Sequence, residues 1–206
     1  MQWLAERDMS TEAVDVKADS VTASATIIVD RTGEKAILID PVPVDTLAII
    51  GDTVKLQPDD TVIANFFHPE AVARMFDRAA AIGIERMIDL ELPEIERWGW
   101  QGMEKILPFA SVVITNRQVL ETWMTRTGNT LPRADAAEAL ARFLSGAGAR
   151  KAIVTLGADG LVATDRDSVH RLDAFKVTPA TRPVRAMCFW RALPPPPGEV
   201  SGLKRR

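Results

Sequence analysis

Cysteine is almost absent from this sequence. The single Cys188 excludes an internal disulfide, and one cysteine with two histidines is too few for a Cys/His metal cluster. No apolar run reaches the roughly 18 residues that a membrane-spanning helix needs. An excess of one charge is lacking too. Twenty-five basic against 28 acidic side chains leave a net charge of -3, which is no electrostatic footprint for nucleic acid or an anionic membrane. The basic end, Lys204-Arg205-Arg206, reads as a solvated tail. The opening, Met1 to Asp8, has no basic stretch followed by an apolar one, so no signal peptide is expected and the expected location is cytoplasmic.

What is present is the balance of a soluble globular protein. Of 206 residues, 47% are hydrophobic and 26% charged, enough for one ordinary domain with its own core. A β-hairpin is expected over residues 24 to 39. Ala25-Thr26-Ile27-Ile28-Val29 is β-branched, Asp30-Arg31-Thr32-Gly33 supplies turn chemistry, and Lys35-Ala36-Ile37-Leu38-Ile39 returns. Both arms are apolar on successive residues, which implies that each face covers something.

From residue 61 strands and helices alternate. Thr61 to Phe66 reads as a strand, and His68-Pro69 opens a helix with proline at its favoured first position. Val72, Met75, Phe76 and Ala79 form its apolar stripe, and Gly83 stops it. Strands follow at Arg86 to Leu90 and Ser111 to Thr115, the latter leading into a helix from Arg117 to about Met124. Asp135 is expected to cap the next helix, with Ala136, Leu140, Phe143 and Leu144 inward, Glu138 paired to Arg142, and Gly146 and Gly148 ending it. Lys151 to Leu156 is a buried strand, and after the turn Gly157-Ala158-Asp159-Gly160 two short strands run from Leu161 to Thr164 and from Ser168 to Leu172. Strand-helix-strand units in series predict an α/β fold, a mostly parallel sheet flanked by helices. After Pro179 no period survives, and Pro194 to Pro197 favour an extended polyproline conformation, so 180–206 reads as an unpatterned, disordered tail.

Three stretches together resemble the PfkB/ribokinase family of ATP-dependent carbohydrate kinases. Asp30-Arg31-Thr32-Gly33-Glu34-Lys35 is similar to the family's hairpin lid. Ile114-Thr115-Asn116, at a strand end before a helix, resembles the start of its Asn-x-x-Glu motif. Val154-Thr155-Leu156-Gly157-Ala158-Asp159-Gly160 resembles its nucleotide-binding T-x-G-x-x-G turn. The agreement runs over about residues 10 to 178. The resemblance implies a ribokinase-like fold with a β-hairpin lid at about 24–39 and an α/β core at about 59–178, together a partial domain over 1–179. It implies ATP and Mg²⁺ as cofactors, a sugar as substrate, and a homodimer through the lid hairpin, Thr26 to Ile39, as in some relatives. Neither nucleic acid nor a membrane is an expected partner.

Phosphoryl transfer needs a base that orients the sugar hydroxyl, donors that take up phosphate charge, Mg²⁺ and exclusion of water. The resemblance assigns nucleotide binding to Thr155, Gly157 and Gly160, and a place near phosphate to Asn116. Each has a plainer reading: Thr155 as a β-branched strand residue, Asn116 as a helix cap, Glu34 and Lys35 as a solvated turn. His68 reads as lying beside the cap of its helix, His170 on an exposed hairpin strand, and Trp98 and Trp100 as packing residues.

Two departures from the family weigh against catalysis. The glutamate of Asn-x-x-Glu falls at Val119, and Glu121, two positions on, faces elsewhere on the helix. After Pro179 the family carries a signature close to D-T-T-G-A-G-D, whose glycines open a helix that holds the transferring phosphate and whose last aspartate is the base. This chain reads Ala180 to Trp190 there, with no glycine and no carboxylate. No catalytic residue and no metal ligand is therefore assigned, and the chain is expected to be inactive as written. The alternatives are a non-catalytic nucleotide- or sugar-binding protein and a non-functional remnant.

The genetic code offers a reason. When the last base of each codon is joined to the first two of the next, Ala180 to Met187 can spell D-T-T-G-A-G-D. Met187 with Cys188 then gives valine, and Phe189 with Trp190 gives leucine. A one-base frame change near residue 180 is the hypothesis that follows, and it accounts for the proline-rich end. The family's opening strand with its sugar-binding aspartate and Gly-Gly-Asn segment also has no counterpart before the hairpin.

Overall fold

A computed structural model describes residues 2–9, 11, 14, 16, 21–31, 35–40, 51–65, 68–165 and 168–176. The lid turn Thr32-Gly33-Glu34, Phe66 and the whole tail 180–206 lie outside the described residues. The chain divides into two units, one of residues 1–20 and 42–175, the other of residues 21–41 and 176–206.

In the smaller unit the expected hairpin is formed. Strand β1 (Ser24–Val29) pairs antiparallel with β2 (Lys35–Asp40), with Ile27 opposite Ile37 and Thr26 opposite Leu38. Alternation sends these pairs to opposite faces of the ribbon. Ile27, Ile28, Val29, Ile37, Leu38 and Ile39 are all exposed, so neither face of this ribbon is buried.

The larger unit is built on a six-stranded sheet in the order β3 (Thr61–Asn65), β4 (Glu85–Leu90), β5 (Val112–Asn116), β6 (Lys151–Thr155), β7 (Leu161–Asp165) and β8 (Ser168–Leu172). The first four run parallel and the last two antiparallel. Register sets Ala64, Ile88, Val113, Ala152 and Thr164 in one row across the sheet. Ile88, Val113 and Ala152 of that row belong to a continuous apolar core, as do Leu90, Val154 and Val162 from the next row on the same face.

Helices supply the rest of that core. Helix α1 (Pro69–Ala81) has Pro69 at its first position and His68 at its N-cap, and it buries Ala71, Val72, Phe76 and Ala79. Its chain reversal uses Gly83 at φ 78°, a conformation that side chains disfavour. Helix α3 (Arg117–Thr127) buries Val119, Leu120 and Trp123, and ends on Gly128 in the left-handed region. Helix α4 (Arg133–Gly146) buries Ala136, Ala137, Leu140, Ala141 and Leu144. Full burial of a leucine such as Leu140 or Leu144 is worth about 1.5–3 kcal/mol.

Two sequence expectations are corrected. Asp135 does not cap α4: Pro132 occupies the N-cap, and Asp135 lies in the first turn, where it accepts from Arg171. A further helix, α2 (Leu92–Glu104), stands where no element was expected. Pro93 sits near its start and Gly99 interrupts it at φ 69°, ψ 167°. That interruption breaks the apolar period, and tertiary packing restores it: Trp100 and Trp123 flank Phe143, with ring centroids 6.5 and 6.2 Å away.

Candidate functional site

The carboxyl ends of parallel strands are where open α/β sheets gather ligand-binding groups, because loops leave there toward helix N-termini. In this chain those ends carry Asn65, Asp89, Asn116 and Thr155. Parallel register places Asn65 beside Asp89 and Asn116 beside Thr155.

Asn116 ends β5 and caps α3. Its Oδ1 accepts from the backbone N–H of Gln118 at 2.9 Å and of Val119 at 3.2 Å, satisfying two of the donors a helix start leaves open. The plainer reading of this residue is thus realised, and its side chain is held at the carboxyl end of a central strand. The Thr155 hydroxyl donates to the Thr115 carbonyl at 3.0 Å, which ties β6 to β5. Its oxygen retains acceptor capacity.

Beyond Thr155 the chain makes a tight turn, a single 3-10 turn over Gly157–Asp159. The Leu156 N–H donates to the Gly160 carbonyl at 2.8 Å and the Gly160 N–H to the Gly157 carbonyl at 3.2 Å. Both glycines have positive φ, 66° at Gly157 and 83° at Gly160, yet they differ in surroundings. A side chain at Gly160 would collide with the Leu172 carbonyl. At Gly157 it would meet open space. Gly160 is therefore required by packing against β8, whereas Gly157 leaves a stretch of backbone open to an approaching molecule.

The sequence reading missed the acidic groups on the neighbouring strand. Asp89, the last residue but one of β4, is half-buried, Glu91 is the N-cap of α2, and Glu94 is only 5% exposed. Glu91 and Glu94 form a reciprocal capping box, the Glu91 N–H donating to Glu94 Oε2 at 2.9 Å. Burial, with the Glu91 charge beside it, pushes the Asp89 carboxyl up to about 6. Burial raises Glu94 to about 7 against the hydrogen bond from the Glu91 backbone, with the charges of Glu91 and Asp89 adding to the rise. His68 is driven the other way, lowered by burial and by the Arg97 charge. Asp-x-Glu after an apolar strand was the available signal, and without α2 recognised it had no place in the fold.

The position where the resemblance requires a magnesium-organising glutamate is decided by packing. Val119 has no exposed surface and lies among the core residues. Glu121 is exposed and pairs with Arg117 at 3.5 Å on the outer side of α3. Among the described residues no three His, Cys, Asp or Glu side chains are grouped so as to hold a metal ion. These residues do not fit Mg²⁺ at the Asn-x-x-Glu position.

A Gly-x-x-Gly turn and a capping asparagine at the ends of adjoining strands, in this order on this sheet, agree with a family match. The family described as pfkB family carbohydrate kinase matches residues 1–181. The chain belongs to the pfkB carbohydrate kinase family. No curated protein matches the chain. Among solved structures, the protein Sa239 superposes with a TM-score of 0.62 at 18% identity over 90% of this chain and 59% of its own. The Burkholderia thailandensis nucleoside kinase in complex with inosine gives 0.58 at 16% identity, over 84% of this chain and 52% of that one. The Trypanosoma brucei brucei adenosine kinase gives 0.58 at 13%, over 81% and 54%. At these identities the likeness is one of fold. The pfkB-family chain described here spans 52% to 59% of the length of those three proteins.

Proposed function

We propose that this chain is a pfkB-family homologue that binds a nucleotide such as ATP at the Gly157–Gly160 turn and does not transfer its phosphate to a sugar. The observation that carries the reading is Val119, fully buried where the family's acidic group belongs. The open space beside Gly157 and the adjoining Asn116 and Thr155 support nucleotide binding. The stretch from Ala180 to Trp190, with neither glycine nor carboxylate, supports the loss of the base. The substrate class of the intact relative is a sugar or nucleoside hydroxyl, and the place of action is the cytoplasm. No helix among the described residues is long and apolar enough to cross a membrane.

The test is a pair of measurements on the whole chain. Incubation with ATP, Mg²⁺ and a panel of sugars and nucleosides is expected to release no ADP above the protein-free background. A non-hydrolysable ATP analogue is expected to bind saturably. Turnover would overturn the claim of inactivity, and absence of binding would overturn the nucleotide site. Sequencing of codons 175 to 195 addresses the cause: a frame one base away that spells D-T-T-G-A-G-D is expected, and codons unable to spell it would refute the frame change.

The lid ribbon favours a second element of the reading, a homodimer. Two apolar faces exposed on one two-stranded ribbon are rarely stable in water alone, and a second copy of the same ribbon is a partner of matching chemistry.

A further inference from the structure

The Gly157–Gly160 turn is held from outside itself. Gly157, Ala158 and Asp159 are exposed and the turn buries no side chain, so apolar packing does not fix its shape. Its two glycines widen the conformations open to it in the free chain. Helix α4 grips it instead. Arg133, the first residue of α4, places Nη1 2.8 Å from Oδ2 of Asp159, the last residue of the 3-10 turn. On the other side Gly160 abuts the Leu172 carbonyl at the end of β8. The preceding residue, Arg171, returns to α4 through Asp135 at 2.8 Å and Glu138 at 2.9 Å. Glu138 also holds Arg142 at 3.0 Å. The start of α4 thus holds the turn directly and β8 beside it.

We propose that Arg133 is a positioning residue for the nucleotide turn, acting through the Asp159 carboxylate. The inference rests on the nucleotide reading above. A loop that must adopt one shape to accept a ligand loses conformational entropy on binding, and a contact that holds that shape beforehand reduces the loss. The pair also sets where the turn stands relative to Asn116 and Thr155, since α4 is anchored in the core by Ala136, Leu140 and Leu144. Both partners are about half exposed, side-chain exposure being 50% and 54%. The effect is accordingly modest, about two- to five-fold in affinity.

The experiment is equilibrium binding of a non-hydrolysable ATP analogue to the whole chain and to R133A, D159N, R133A/D159N and R133K, with thermal melting and amide exchange of each without ligand. Expected are a two- to five-fold loss in either single variant, no further loss in the double variant, and recovery of most of the affinity in R133K. Melting midpoints should stay together while the Leu156 and Gly160 amides exchange faster in R133A and D159N. Variants that bind as the wild type does would overturn the positioning role and leave the nucleotide site standing. Additive losses in the double variant would also overturn it, since the two residues would then act separately. A wild type that fails to bind would overturn the nucleotide reading, and this proposal with it. Unchanged melts and restoration by lysine separate positioning from general destabilisation.

Discussion

Val119 shows how one core residue bears on chemistry. Its side chain lies wholly inside the apolar cluster, so V119E would bury a carboxylate without a partner rather than recreate an acidic site. The expected outcome is a loss of about 2–5 kcal/mol in denaturant unfolding, with no gain of phosphoryl transfer. Glu94 makes the second prediction at this scale. An unperturbed glutamate releases its proton near 4.5, whereas folded Glu94 holds it to about 7. Between those values the folded chain binds a proton that the unfolded chain lacks, so stability rises as pH falls through the window and declines as pH rises. Asp89, held up to about 6, acts in the same direction. Denaturation midpoints measured from pH 8 down to 5.5 are expected to climb, and E94Q to flatten the slope. Neither effect is legible in the sequence: the Asp-x-Glu pattern is visible, but the burial that shifts its titration comes from distant residues packing over it.

At the scale of elements, local signals located most of the structure. Proline at the first position of α1, the asparagine cap of α3 and the inward stripe of α4 are short-range chemistry, and each stands where expected. Helix α2 was not legible because Gly99 breaks its period and its burial depends on contact with α3 and α4. The two turn glycines were legible as a pair, but their different duties were not. G160A is expected to cost about 1–3 kcal/mol, from positive φ together with collision at Leu172. G157A, which adds a methyl to open space, is expected to cost about 1 kcal/mol. Comparison of the two urea midpoints checks the order. In the lid ribbon, I27K places a charge in an apolar cross-strand pair opposite Ile37. If lids pair between copies, sedimentation of I27K is expected to shift toward monomer relative to wild type.

For the whole molecule, one continuous core joins β3 to β7 with helices α1 to α4. That continuity predicts a single cooperative thermal transition with matching near- and far-UV signals, and a gradual, probe-dependent melt would instead favour a non-functional remnant. The amino-acid order alone determined the class of fold, the hairpin and strand-helix alternation, the turn at 157–160, and the lack of an acidic residue both at position 119 and over 180–190. These rest on hydrogen bonds and side-chain periods that span a few residues. Only the tertiary structure decided that Asn116 stands beside Thr155, that Val119 is sealed in the core, that burial raises the proton affinity of Asp89 and Glu94, and that Arg133 reaches Asp159 across 26 positions of sequence. Each of those depends on register between strands or on dehydration by a distant element, interactions that no local pattern encodes.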